Sequence, residues 1–298
     1  MSVNNFKVSV IVPFYHQVFW LIEAVDSVFE QTHCNFEIIV INDGSKEDIK
    51  PFLDKYGKDI IYIEKDNEGP ASARNIGIEI SSGDYIAFLD SDDIWEKTKL
   101  EKQIAYMESN NAIWSHTQWT QFLDNDKSKI SRIYSNLSNG YIFPLSLLSF
   151  RIATPSVMIR ANYLKSRNNL RFNEDMRYGQ DYYLWLLLSY NLPISLVPEV
   201  LCHTRLRNKG NAAKRVKVQL QVRSDIWSYL RKTNPKLFYQ KKNMIFIILF
   251  YKSCKISFRF VKYLESRLNL TTNQSEFLSK VLYILPYIYS RILTLFFK

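Results

Sequence analysis

Residues 36–45 read FEIIVINDGS, a run of Phe36, Ile38, Ile39, Val40 and Ile41 closed by Asn42-Asp43-Gly44-Ser45. A continuous apolar run of this length, bounded by a turn-forming cluster, predicts a strand buried on both faces over Phe36–Ile41. Upstream, KVSVIVP (Lys7–Pro13) predicts a second strand of the same kind. Between the two, Val18, Leu21, Ile22, Val25, Val28 and Phe29 recur at helical spacing, so a helix is expected over 18–31. Downstream the spacing predicts a short helix over 47–56, a strand over Ile60–Glu64, a loop at Asn67–Pro70 and a helix over Ala71–Glu79. Gly77 reads as a close-packing point in that helix. A fourth strand, DYIAFL (Asp84–Leu89), runs into Asp90-Ser91-Asp92-Asp93. Strands and helices alternating in this order imply an α/β fold, a mainly parallel sheet with right-handed crossovers and flanking helices. Ligands of open α/β sheets bind beyond the carboxyl ends of the strands. Tyr15, Asp43 and Asp90–Asp93 all fall at such ends.

Further along, a helix is expected over Trp95–Ser109, and strands over 112–123 and 130–135 around the turn Asp124–Lys127. Residues 152–160 suggest another strand. QDYYLWLLLS (Gln180–Ser189) predicts an apolar helix with Asp181 in its first turn. Near 215 the composition turns basic and aromatic, which divides the chain into residues 1–215 and 216–298. No internal repeat or low-complexity tract interrupts either part.

The composition is that of a folded protein, with 47% hydrophobic and 23% charged residues, which excludes global disorder. The three cysteines, Cys34, Cys202 and Cys254, offer no disulfide framework and no CxxC metal knuckle, which fits a reducing compartment. The opening residues MSVNNFKVSVIVPFY carry no basic stretch followed by an apolar one, so no secretory signal is expected and a cytoplasmic location is. The net charge of +10 is unevenly spread: residues 1–204 hold 19 Lys+Arg against 26 Asp+Glu, and residues 205–298 hold 20 against 3. A basic tail implies an anionic partner or a solvated helix face. Two apolar runs, 244–251 and 281–297, interleave with it. The first is too short to span a bilayer and the second carries Pro286 and Arg291. Amphipathic helices in a membrane interface are therefore expected over 241–298, with Lys241, Lys242, Lys252, Lys255, Arg259 and Lys262 facing anionic lipid. The alternatives are a helical subdomain packed on the core, or a homodimer contact. No nucleic-acid recognition motif accompanies the charge, and nucleic acid is not expected as a partner.

Each candidate site residue admits two readings. Asp90, Asp92 and Asp93 repel one another unless a cation or solvent neutralises them, so they form either a Mg²⁺ or Mn²⁺ site or a solvated turn capping the next helix. Asp43 accepts either from a base or ribose or within its own turn. Tyr15, two residues beyond Pro13, stacks on a nucleobase or packs. Arg74 meets a nucleotide or makes an ordinary salt bridge. Asp181 is a general base at a lined pocket or a helix-terminal carboxylate. His203 is a metal ligand or structural, and Arg205, Arg207 and Lys209 beyond it can close over a diphosphate. A nucleotidyltransferase normally carries a glycine-rich basic loop after the first strand; FYHQVFW stands there instead.

VSVIVPFYH, EIIVINDGS, NEGPASARNIGI, YIAFLDSDD and GQDYYLWL, in this order over roughly residues 7–210, together resemble family 2 glycosyltransferases of the GT-A fold. The resemblance implies an inverting, Mg²⁺- or Mn²⁺-dependent enzyme that moves a sugar from a nucleoside diphosphate, UDP above all, to a hydroxyl of a glycan or lipid-linked acceptor in surface polysaccharide synthesis, at the inner face of the cell membrane. By motif position, Pro13, Tyr15 and Asp43 would hold the nucleoside and Arg74 would support the nucleotide. Asp90 and Asp92 would form the DxD motif, with Asp92 the direct metal ligand and His203 a further one. Asp181 matches the catalytic base. The chain departs from the family pattern at His16, at Gln180 and at His203-Thr204-Arg205, where Asn, Glu and a Tyr-Arg pair are usual. A second expectation is a degenerate protein that binds sugar nucleotides without transferring the sugar.

Overall fold

The computed structural model describes residues 5–124, 126–134, 139–148, 152–206, 215–238 and 244–296, with side chains outside 126–133 and 295–296. The chain clusters into two compact units. The first comprises Met1–Tyr141, Arg151–Glu174 and Leu187–Arg207. The second comprises Ile142–Phe150, Asp175–Leu186 and Asn208–Lys298. A cut at residue 215 therefore falls close to the last boundary, but the second unit also takes two earlier segments.

In chain order the elements are β1 (Val8–Phe14), α1 (Val18–Phe29), β2 (Phe36–Asp43), α2 (Lys50–Tyr56), β3 (Ile61–Lys65), α3 (Pro70–Ile80), β4 (Tyr85–Phe88) and β5 (Ile94–Trp95). There follow α4 (Lys99–Ser109), β6 (Trp114–Leu123), β7 (Asp126–Tyr134), β8 (Val157–Arg160), α5 (Ala161–Lys165), α6 (Gln180–Asn191) and β9 (Ser195–Leu206). The C-terminal helices are α7 (Val216–Thr233), α8 (Met244–Leu268) and α9 (Thr272–Phe296).

One sheet organises the first unit, in the order β3-β2-β1-β4-β8-β6-β9-β5, with β7 paired to β6. The strands β3, β2, β1 and β4 run parallel. Every residue of β1 is buried, as expected for a strand covered on both faces. The last rung between β1 and β4 is Leu89 N–H to the Ile11 carbonyl. Pro13 lies two residues further on the same side, past the end of that ladder, so its missing N–H costs no strand bond. On the opposite edge it pairs with Ile41. Gly77 lets α3 lie directly on β1: a Cβ there would come within 2.5 Å of Ile11 Cγ2.

Several expectations change: β7 begins at Asp126, inside the turn expected over Asp124–Lys127, and α2 begins only at Lys50. The helix over Trp95–Ser109 begins only at Lys99, because Ile94 and Trp95 form β5 against Cys202 and His203 of β9. Trp95 is buried there and its indole N–H donates to the Pro155 carbonyl at 2.8 Å. The strand over 152–160 is a single 3-10 turn at Thr154–Ser156 followed by β8, since Pro155 cannot donate to a ladder.

In the second unit α7 buries Val218, Leu220, Ile226, Trp227 and Leu230, and α8 buries Met244, Ile247, Phe250, Tyr251, Cys254 and Val261. The helices α8 and α9 make a hairpin. Asn269, with φ 48°, supplies the left-handed residue after α8. Thr271 and Gln274 then form a reciprocal capping box, Gln274 N–H to Thr271 Oγ1 and Thr271 N–H to Gln274 Oε1. Pro286 inside α9 leaves the Leu282 carbonyl without its helical donor, and the Ser257 hydroxyl of α8 donates to it at 3.5 Å.

Candidate active site

The carboxyl end of β2 turns sharply because Gly44 takes φ 72°; a Cβ there would meet the Asn67 nitrogen at 2.8 Å. The turn leaves Asp43 buried and facing the Asn67–Pro70 loop. Its Oδ1 accepts Glu68 N–H at 3.0 Å and Lys65 Nζ at 2.9 Å, and its Oδ2 accepts Gly69 N–H at 2.8 Å. A carboxylate has about four acceptor positions. Asp43 thus shapes the loop and keeps capacity for one further donor. Beyond β1, Tyr15 is 41% exposed, with its ring tilted over His16 at 4.0 Å. The Glu47 carboxylate accepts Gln17 and Val18 N–H and so caps α1, and these bonds hold it below the usual carboxylate range.

Two residues after β4 ends at Phe88, the Asp90–Asp93 turn begins, and it closes through Asp93 N–H to the Asp90 carbonyl at 3.0 Å. Two arginines hold it. Arg74, buried on α3, donates from Nη2 to Asp90 Oδ1 at 2.5 Å and lies over the Phe172 ring. Its Nε is buried with no acceptor among the described residues. Arg205 on β9 donates from Nε to the Asp92 carbonyl at 2.9 Å, and its backbone N–H goes to Asp93 Oδ1 at 2.8 Å. The rest of its guanidinium pairs with Asp124 and Glu23, and Trp20 and Phe122 flank it. Asp93 is fully buried, and burial, reinforced by Asp92 and Asp90, raises its carboxyl well above the ordinary range. Of the three carboxyl groups in the turn, Asp93 is the buried one, tied to the Arg205 backbone, while Asp90 and Asp92 remain partly exposed.

The structure corrects the reading of His203. Its Nδ1 bonds Thr120 Oγ1 and its Nε2 bonds Glu96 Oε1, each at 2.6 Å, so both ring nitrogens are engaged by protein and neither is presented as a metal ligand. Arg205 also differs from expectation: with its side chain 1% exposed it braces the acidic turn from within instead of closing over a ligand. Arg207 and Lys209 lie outside the described residues. Asp181 opens α6 in the second unit, half-buried, with Oδ1 accepting Tyr182 N–H at 2.8 Å.

Among the described residues no three His, Cys, Asp or Glu groups converge as a complete metal cage. Asp90 and Asp92 instead suit the open mode of Mg²⁺ or Mn²⁺ binding, in which one or two carboxylates share the ion with substrate phosphates and water. The orphaned Nε of Arg74 beside Asp90 fits the same picture, since a phosphate oxygen would satisfy it.

The family model described as "Glycosyl transferase family 2" matches residues 9–165. A relative in Rickettsia bellii (strain RML369-C), an uncharacterized glycosyltransferase, is 42% identical over 226 residues, 75% of this chain and 32% of its own length. The minor teichoic acid biosynthesis protein GgaB of Bacillus subtilis (strain 168) is 31% identical over 218 residues, 70% of this chain and 24% of its own. The chain thus spans about a third or less of these relatives. Among solved structures, S. aureus TarS 1-349 in complex with UDP-GlcNAc aligns with a TM-score of 0.65 at 17% identity, covering 95% of this chain and 79% of that one. The mannosyltransferase PcManGT from Pyrobaculum calidifontis, in complex with GDP-Man and Mn²⁺, aligns with a TM-score of 0.59 at 14% identity, covering 98% and 87%. These structures share the fold. With the matched family model running from within β1 to the end of α5, and so across the Asp43 loop and the Asp90–Asp93 turn, the chain belongs to glycosyl transferase family 2.

Proposed function

We propose that this glycosyltransferase moves a sugar from a nucleoside diphosphate, most simply UDP, to an acceptor hydroxyl with inversion at the anomeric carbon. The observation that carries the reading is the Asp90–Asp93 turn, two partly exposed carboxylates held at the end of β4 by Arg74 and Arg205. In this reading Asp43 uses its remaining acceptor position for the nucleoside, Tyr15 lies on the base, Pro13 shapes the strand end and Arg74 offers its Nε to a phosphate oxygen. Asp92, with Asp90 beside it, would hold Mg²⁺ or Mn²⁺, which when bound supplies Lewis-acid stabilisation of the departing diphosphate. Asp181 would take the proton from the acceptor hydroxyl. The hydroxyl oxygen then forms its bond to the anomeric carbon on the face opposite the diphosphate, and the bond from that carbon to the phosphate oxygen breaks. Orientation of this kind is worth up to roughly 7–11 kcal/mol in well-aligned systems.

The name of the GgaB relative supports an acceptor in surface-polymer synthesis, a glycan or a lipid-linked sugar. The enzyme then works on the cytoplasmic side of a membrane, where nucleotide sugars meet such an acceptor. Asp181→Asn tests the assignment. The variant should bind donor within a few-fold of the parent and lose about 10²–10⁴-fold in transfer, the usual contribution of a general base. Near-normal turnover would move the base elsewhere.

A further inference from the structure

The helices α8 and α9 are apolar on two faces. The inner faces are buried, through Ile247, Phe250 and Val261 on α8 and Tyr283 and Leu293 on α9. The outer faces are exposed among the described residues. On α8, Leu249, Ile256 and Phe260 are separated by seven and four residues and share one exposed face. On α9, Phe277, Ile284 and Ile288 do the same. Ile256 is 69% and Phe277 70% exposed, and of the twenty exposed large hydrophobic side chains among the described residues fourteen lie on these two helices. Scattered apolar side chains are ordinary on a surface; contiguous stripes on neighbouring helices mark a contact.

The charges beside the stripes say what the contact is. Lys252 and Arg259 are exposed along one edge of the α8 stripe, and Lys280 and Arg291 along the corresponding edge of the α9 stripe. The hairpin has only two carboxylates, Glu265 and Glu276. Both reach the start of α7: Glu276 accepts Val216 N–H at 2.7 Å, and Glu265 pairs with Lys217 and also, at 3.7 Å, with Lys262 of α8. The cationic edges therefore have no acidic counterpart on their own face. A second copy packed through the same face would bring the same cations to the contact. A leaflet containing anionic lipid supplies both apolar depth and negative charge. No helix among the described residues is long and apolar enough to cross a membrane, which leaves the in-plane arrangement.

We infer that the outer faces of α8 and α9 are an in-plane docking surface for anionic membrane, with the apolar stripes inserted at the headgroup boundary and the Lys/Arg edges on lipid phosphates. The full chain should co-sediment with vesicles of phosphatidylcholine containing phosphatidylglycerol, bind pure phosphatidylcholine at least about tenfold more weakly, and release as salt rises. The combined variant Ile256→Ser, Phe277→Ser, Ile284→Ser, and separately Lys252→Glu with Arg259→Glu, should each lower partitioning about tenfold or more while far-UV dichroism and nucleotide binding stay unchanged. Failure of the parent chain to bind anionic vesicles at low salt overturns the inference, whether or not the variants fold. So does a discrete oligomer that the triple serine variant dissolves without any vesicle binding, which would make the same face a protein interface. Nucleotide binding is read in the same samples, so loss of the membrane contact is separable from loss of the donor site.

Discussion

Arg205 is the residue on which the acidic turn depends. Its side chain is 1% exposed and spends its donors on the Asp92 carbonyl, Asp124 and Glu23, while its backbone N–H holds the buried Asp93. Removing one partner of a buried charge network leaves the others desolvated and uncompensated, a cost of about 3–5 kcal/mol. Arg205→Ala should lose stability of that order in denaturant titration. Arg205→Lys keeps the charge but not the planar fork, so it should recover part of the stability while still weakening metal-dependent donor binding. An alanine variant within about 0.5 kcal/mol of the parent, the range of ordinary surface substitutions, would remove Arg205 from this role. The sequence reading placed Arg205 in a basic run closing over a ligand, and local pattern could not have done better. What turns it inward are Glu23 and Asp124, 182 and 81 residues away in the chain. His203 was misread for the same reason, since its partners Glu96 and Thr120 are also remote. The placing of Asp43, Asp90 and Asp92 at strand ends is legible because each follows a buried apolar run, and strand ends are where an α/β sheet gathers polar groups.

At the scale of elements, the order from β1 to β4 could be read directly, because strands buried on both faces spell continuous apolar runs and the intervening helices keep their own period. The start of α4 could not. Trp95 fits the start of a helix by period, and only the pairing of Ile94 and Trp95 with β9 makes this stretch a strand. The consequence lies at Lys99, the first residue of α4, which is fully buried with Nζ on Gln103 Oε1 and 4.0 Å from the Trp95 ring centre. Burial pushes its ammonium down from 10.5 to about 7. Below about pH 7 both folded and unfolded chains hold this proton, and the folded state bears the full cost of burying the charge. Between about 7 and 10.5 the unfolded chain binds the proton and the folded chain does not, so this group makes stability rise with pH, by at most about 1.4 kcal/mol per unit. Lys99→Met removes the effect. Its stability advantage over the parent should be largest near neutrality and shrink as pH approaches 10. An advantage independent of pH between 7 and 10 would mean that the ammonium is not buried as described.

At the scale of the whole molecule, the charge map follows the chain's division of labour. Residues 1–204, which carry the Asp43 loop and the braced turn, are net acidic; residues 205–298 hold 20 of the 39 basic side chains and 3 of the 29 acidic ones. That contrast was visible in the sequence. The faces on which the basic side chains stand were not, because α8 and α9 are apolar on two sides and period alone does not say which side is covered. Nor did composition show that Ile142–Phe150 and Asp175–Leu186, the latter carrying Asp181, join the C-terminal helices in the second unit. The proposed function has a nucleotide-sugar site with a divalent ion held at Asp92. The direct measurement is thermal stabilisation by UDP-, GDP-, dTDP- and CMP-sugars, with and without Mn²⁺, for the parent chain and for Asp92→Ala. The account predicts a Mn²⁺-dependent rise in Tm with one nucleotide family, lost in the Asp92 variant. No rise with any donor, or the same rise without the ion and in Asp92→Ala, would contradict it.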